Sequence, residues 1–115
     1  LTYPERVAET TVPRLDLKSI GTLNFGIPDY ARFPCLGLAL EAGRRGGTAP
    51  AVLAAADEVA VDNFLAGYIH FSEIAHVIEG ALGAHEAIGN PSLEQVLEAD
   101  AWARAFADDL VKAKA

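Results

Sequence analysis

Apolar residues recur at helical spacing through most of this chain, but only after Pro28. Before that point Pro4, Pro13 and Pro28 punctuate the sequence, with Gly21 and Gly26 between them. Proline fixes φ and removes a backbone donor, so residues 1–29 should run extended and turning. Thr22-Leu23-Asn24-Phe25 alternates apolar with polar residues, which permits one short strand. Such a strand needs a neighbour to be stable. Residues 1–29 therefore read as a linker laid over another surface, and residues 30–115 as a helical bundle.

In the first expected helix Pro34 suits the first turn, and Leu36, Ala39, Leu40 and Gly43 follow at i, i+3, i+4 and i+7. Gly46-Gly47 stops it. Thr48 is the expected N-cap of the second helix, with Pro50 in its first turn and Gly67 as terminator. Leu53, Ala56, Ala60 and Phe64 make one face there, with Val61 and Leu65 beside it. Ala54, Ala55 and Ala56 would let another backbone approach closely, so this helix should be the most buried.

Ser72 is the expected cap of the third helix, with Phe71 as the outer half of a hydrophobic staple. Ile74, Val77, Ile78, Ala81 and Leu82 keep the helical period without a miss. Gly83 weakens that helix, and Gly89-Asn90-Pro91 forms a loop. Ser92 with Gln95 makes a capping box for the fourth helix. Its apolar face runs through Leu93, Val96, Leu97, Ala103, Phe106 and Leu110, and Lys112 and Lys114 complement its C-terminal dipole. The connections are short, which implies antiparallel neighbours. The fold expected is all-α: a four-helix bundle after an extended linker with one short strand. Leu53, Ala56, Ala60, Phe64, Ile74, Val77, Ile78 and Phe106 should be buried.

The 115 residues fit one compact domain, and 51% hydrophobic content is enough for a core. No apolar run approaches the roughly 18 residues of a membrane-spanning helix, and no secretory signal is present. The net charge of −7 is lopsided: residues 1–49 hold six Lys/Arg against five Asp/Glu, and residues 50–115 hold three against eleven. An acidic second half repels phosphate backbones and disfavours nucleic acid as a partner. The lone Cys35 lies in an apolar helical run, where a small buried core residue is expected, and a cytoplasmic compartment is compatible with it. With no methionine and a start at Leu1-Thr2-Tyr3-Pro4, the chain reads as a piece of a longer polypeptide.

Candidate chemistry is sparse. Gly43-Arg44-Arg45-Gly46-Gly47 is a glycine cluster with positive charge, but it ends a helix instead of opening one after a strand, so it reads as a helix stop and not a phosphate loop. Among His70, His76 and His85, only Glu73-x-x-His76 matches the Glu-x-x-His pair of di-iron bundles. A second such pair is missing, and Glu58 is a lone partner, so a solvated polar face is the simpler reading. Asp57-Glu58 and Asp108-Asp109 are adjacent pairs whose side chains diverge by about 100°, which makes neither an acid–base dyad. Asp57-Glu58 interrupts an apolar helix; one of the two either bonds across an interface, caps backbone, or is simply exposed. Trp102 near Phe106 reads as packing. No catalytic, cofactor-binding or metal-binding residue is assigned.

Several segments together resemble the end of the 1-deoxy-D-xylulose 5-phosphate reductoisomerase family. They are Leu1-Thr2-Tyr3-Pro4-Glu5-Arg6-Val7, Leu15-Asp16-Leu17, Leu23-Asn24-Phe25-Gly26-Ile27-Pro28-Asp29 and Tyr30-Ala31-Arg32-Phe33-Pro34-Cys35-Leu36. Gly46-Gly47-Thr48-Ala49-Pro50-Ala51-Val52-Leu53, Phe64-Leu65-Ala66-Gly67-Tyr68-Ile69-His70-Phe71 and Val96-Leu97-Glu98-Ala99-Asp100-Ala101-Trp102-Ala103-Arg104 continue the likeness. Two family asparagines fall at Ala54 and Asp57 here; Asp only accepts and Ala does neither. The resemblance implies an enzyme that isomerises its substrate and reduces the intermediate with NADPH and a divalent metal, magnesium or manganese, giving 2-C-methyl-D-erythritol 4-phosphate. It also implies that the catalytic groups lie in upstream domains of the same polypeptide, that the full-length enzyme is a homodimer, and that this bundle braces it. An independent four-helix interaction or metal-binding module is the alternative.

Overall fold

The computed structural model describes residues 3–5, 13 and 15–113. The extended course expected over residues 1–2, 6–12 and 14, and the dipole role expected of Lys114, lie outside the described residues. The elements are α1 (Leu17–Ile20), α2 (Pro34–Arg45), α3 (Ala49–Leu65), α4 (Phe71–Ala84) and α5 (Leu93–Lys112). The fold is all-α, with α2–α5 at the positions the periodicity marks out. The expected strand at residues 22–25 does not form: among the described residues no strand pairs with it. In its place the stretch before Pro28 holds the single turn α1, which the alternation does not reveal. Asp16 Oδ1 accepts from the Lys18 N–H at 3.0 Å to start that turn, and Gly21, at φ +72°, closes it.

Helix α3 packs against α2, α4 and α5 and is the centre of the bundle, as its alanine content implied. Its buried face is Ala49, Val52, Ala55, Ala56 and Ala60, rotated by a residue from the expected one. Leu53 and Phe64 are only half-buried at the rim of the core, and so is Phe106. The opposing face of α5 is Ala99, Ala103, Ala107 and Val111, spaced by four residues. Small side chains on both helices let the axes approach, and the larger residues are displaced to the edges. Leu93 and Leu97, expected on the apolar face, are exposed. Two residues turn a helix by about 200°, so Leu97 points away from the seam that begins at Ala99.

The α4 periodicity translates directly: Ile74, Val77, Ile78, Ala81 and Leu82 are all buried. Its start differs from expectation. His70, not Ser72, is the N-cap; the His70 N–H donates to Glu73 Oε2 at 2.8 Å and the Glu73 N–H to the His70 carbonyl at 2.9 Å. Phe71 is then the first helical residue, edge-on to Phe64 at 5.8 Å between ring centroids. In α5 the Ser92–Gln95 box forms as read, with bonds of 2.9 and 3.3 Å.

Helix α2 reverses its expected face. Leu36, Ala39, Leu40 and Gly43 look outward, while Leu38 and Ala42 meet the core. Cys35 shares the Leu38–Ala42 side, but it lies in the first turn, beyond the end of that contact, and is exposed instead of buried. Both changes leave an apolar stripe on the outside of α2.

Candidate functional site

A groove of about 760 Å³ lies between residues 30–38 and the α3–α4 pair. Asp29 builds its lip. Asp29 Oδ1 accepts the N–H groups of Ala31 and Arg32, each at 3.0 Å, and the Asp29 carbonyl accepts that of Phe33 at 2.9 Å. That turn sets Tyr30 and Phe33 on the lip, with Phe71 and Ile74 from α4 opposite. Asp57 of α3 also lines the groove, and no hydrogen bond or ion pair reaches it among the described residues. Partial desolvation pushes the Cys35 thiol up, with the Asp57 charge adding to the effect and a backbone hydrogen bond opposing it. A thiol held protonated is a poor nucleophile.

A second polar group ties one end of the bundle. Thr48, fully buried, places Oγ1 2.7 Å from His85 Nε2 and accepts the Ile88 N–H at 3.0 Å. Arg45 reaches across to the carbonyls of Leu82 and His85, at 3.1 and 3.2 Å, where α4 ends. Trp102 lies against the His85 ring at 5.2 Å and stacks on Phe106 at 5.1 Å, in keeping with a packing role. Burial, then the Arg45 charge, lowers the His85 pKa. Gly47 makes the turn possible: at φ +56° its missing Cβ would run into the Ile88 carbonyl.

The adjacent acids diverge as their spacing requires. Asp57 enters the groove, while Glu58 pairs with Arg104 of α5 at 2.8 Å, and Arg104 also holds Asp100 at 2.8 Å. The Asp100 and Glu58 hydrogen bonds raise the Arg104 pKa further. Asp108 is half-buried and Asp109 exposed. Glu73 and His76 do not act as a pair: Glu73 turns back to its helix start, and His76 faces Glu79 at 3.9 Å on the surface. Among the described residues no three His, Cys, Asp or Glu side chains converge as a metal set. Sequence reasoning missed the Thr48–His85 tie. The only signal was a polar residue in each of two apolar neighbourhoods.

Residues 1–106 match the family model of the DXP reductoisomerase C-terminal domain. This chain belongs to the DXP reductoisomerase family. It is 56% identical over 110 residues to the 1-deoxy-D-xylulose 5-phosphate reductoisomerase of Exiguobacterium sibiricum, covering 96% of this chain and 29% of that one. The Moorella thermoacetica enzyme is 56% identical over 104 residues, 90% of this chain and 27% of its own. Among solved structures, the Zymomonas mobilis reductoisomerase in complex with NADPH superposes with a TM-score of 0.83 at 40% identity, over 95% of this chain and 29% of that one. A reductoisomerase with fosmidomycin and magnesium gives 0.82 at 35% identity, covering 96% and 29%. The chain thus spans under a third of the length of these relatives, and its helices are those of the family's C-terminal domain.

The groove is mostly apolar, with Arg32, Asp57, His76 and Glu79 among its lining, and Arg45 of the glycine–arginine cluster is committed to α4 carbonyls. No described helix is long and apolar enough to cross a membrane.

Proposed function

We propose that this chain is the bracing C-terminal part of a polypeptide that converts 1-deoxy-D-xylulose 5-phosphate to 2-C-methyl-D-erythritol 4-phosphate with NADPH and a divalent metal. Residues 1–29 link it to upstream catalytic and NADPH-binding domains, and residues 30–115 form the bundle. The chain itself supplies no catalytic, cofactor or metal residue, and the whole enzyme works as a cytoplasmic homodimer. The observation that carries this reading is the exposed apolar surface of the linker and α2. Phe25 and Ile27 are 91% and 96% exposed, and Leu36 and Leu40 look outward from α2. Apolar surface of that extent marks a face that another surface covers. Calorimetry tests the assignment of roles: NADPH and magnesium should bind the full-length polypeptide and give no saturable heat with the 115-residue chain. Stoichiometric binding to the short chain, lost on His76→Ala, would favour the independent metal-binding module instead.

A further inference from the structure

We propose that residues 85–91, between α4 and α5, are a latch on the α2–α3 turn, and that uptake of a proton by His85 releases it while the helices stay packed. The segment has no regular structure of its own. Among the described residues, its hydrogen bonds to the rest of the fold run to Arg45 and Thr48. The Ile88 N–H donates to Thr48 Oγ1 at 3.0 Å, the Thr48 N–H donates to the Ile88 carbonyl at 3.2 Å, and Arg45 donates to the His85 carbonyl at 3.2 Å. The Thr48–His85 contact of 2.7 Å completes the set. Gly47 lets the two segments come this close, since a Cβ there would meet the Ile88 carbonyl. Little burial backs these bonds, because residues 86–90 are all exposed. A segment held by few bonds and little apolar burial opens more readily than the helices beside it.

The Thr48 hydroxyl is where the latch meets a proton. Thr48 is fully buried, and its oxygen already accepts from Ile88. Its one proton needs an acceptor, and Nε2 of a neutral His85 supplies one at 2.7 Å. Proton uptake at Nε2 leaves the buried hydroxyl proton without that acceptor. It also puts a charge near Arg45, whose guanidinium bonds the His85 carbonyl. Both costs are relieved when the segment swings out to water, where the imidazolium and the hydroxyl are hydrated. The other groups around His85 are Glu98 and Trp102 from α5, Glu86 from the segment itself and Ala84 at the end of α4. Glu86 and Glu98 are exposed, so water screens their attraction for the imidazolium. Desolvation, then the Arg45 charge, lowers the His85 pKa, the direction that a latch opening on protonation requires.

The test is hydrogen exchange of the full-length polypeptide, read at single amides by mass spectrometry across about pH 5 to 8 and corrected for the free-chain rate at each pH. The Ile88 and Thr48 amides should exchange faster than those of Val77 and Ile78, buried in mid-α4, because only the latch has to open. Their protection should fall below pH 6.5 by up to about tenfold per pH unit, the limit for one proton. His85→Gln, whose side-chain oxygen can accept from Thr48 but takes up no proton, should keep the order of rates and lose the pH dependence. Thr48→Val should leave Ile88 poorly protected at every pH while Val77 and Ile78 stay slow. Ile88 protection as high as that of Ile78 would mean that the segment opens only with the whole bundle, and would overturn the latch. An undiminished decline in His85→Gln would overturn His85 as its trigger.

Discussion

Thr48 Oγ1 and His85 Nε2 stand 2.7 Å apart, linking the α2–α3 turn to the segment after α4 across 37 positions of sequence. The same oxygen accepts the Ile88 N–H, and Thr48 has no exposure to water. A hydroxyl has one proton, so the arrangement is satisfied when that proton goes to an unprotonated Nε2. The lowered His85 pKa agrees with that arrangement, in which a neutral ring carries its hydrogen on Nδ1. Protonation would take away the acceptor for the Thr48 hydroxyl proton and place a positive charge near the Arg45 guanidinium, which already bonds the His85 carbonyl.

That choice of tautomer gives a pH dependence. The folded-state pKa of His85 is lowered from its ordinary 6.5, so below that value the unfolded chain binds more protons than the folded one. Stability from this residue is therefore fully present above 6.5 and declines as pH falls from there toward the lower folded value. Chemical denaturation followed across that window should show a falling midpoint that largely flattens in His85→Gln. A midpoint unchanged on acidification, or an identical decline in His85→Gln, would contradict the neutral assignment. Glu86 and Glu98 line the same shallow depression as His85 and are exposed, so both belong in the control set.

The alanine seam between α3 and α5 makes a second prediction. Ala103 is fully buried, and enlarging it to leucine forces the helices apart at a cost of about 1–3 kcal/mol. Leu97→Ala, on the exposed side of the same helix, should change stability by no more than about 0.5 kcal/mol. Thermal denaturation of the two variants decides the matter. A larger loss from Leu97→Ala would place the core on the face that the leucines suggest.

Capping supplies a third. Ser92→Ala removes a side-chain acceptor at the start of α5 and should cost about 1 kcal/mol. Ser72→Ala should be close to neutral, since His70 and Glu73 start α4 without it. Comparable losses in unfolding free energy from both serines would move the α4 start back to the position that its sequence suggests.

The contrast between α4 and its neighbours explains what was legible. In α4 branched and long apolar residues occupy the core positions, and their period gives both the helix and its buried face. In α3 and α5 the buried face is mostly alanine, which carries little hydrophobic contrast, so the larger Leu53, Phe64 and Leu97 drew the face toward themselves. Leu36 and Leu40 misled for another reason: they keep a helical period on a surface turned away from the bundle. His70 was not legible as a cap because histidine is outside the usual capping set, although Glu73 three residues on was the available clue. The groove was illegible altogether. Its lip depends on Asp29 folding back on its own backbone, and its floor on Asp57 coming from a different helix. The family, in contrast, was readable from ordered segments such as Tyr30-Ala31-Arg32-Phe33-Pro34-Cys35-Leu36, because those segments carry identity whatever face they present.

Consumption of NADPH in the presence of 1-deoxy-D-xylulose 5-phosphate and magnesium tests the bracing role most directly, compared among the full-length polypeptide, the same polypeptide cut before Tyr30, and the 115-residue chain alone. Turnover should appear with the full-length polypeptide, fall away in the truncated one, whose covering bundle is gone, and be absent from the short chain. Metal-dependent turnover by the 115 residues alone, or undiminished turnover after the cut at Tyr30, would contradict the account.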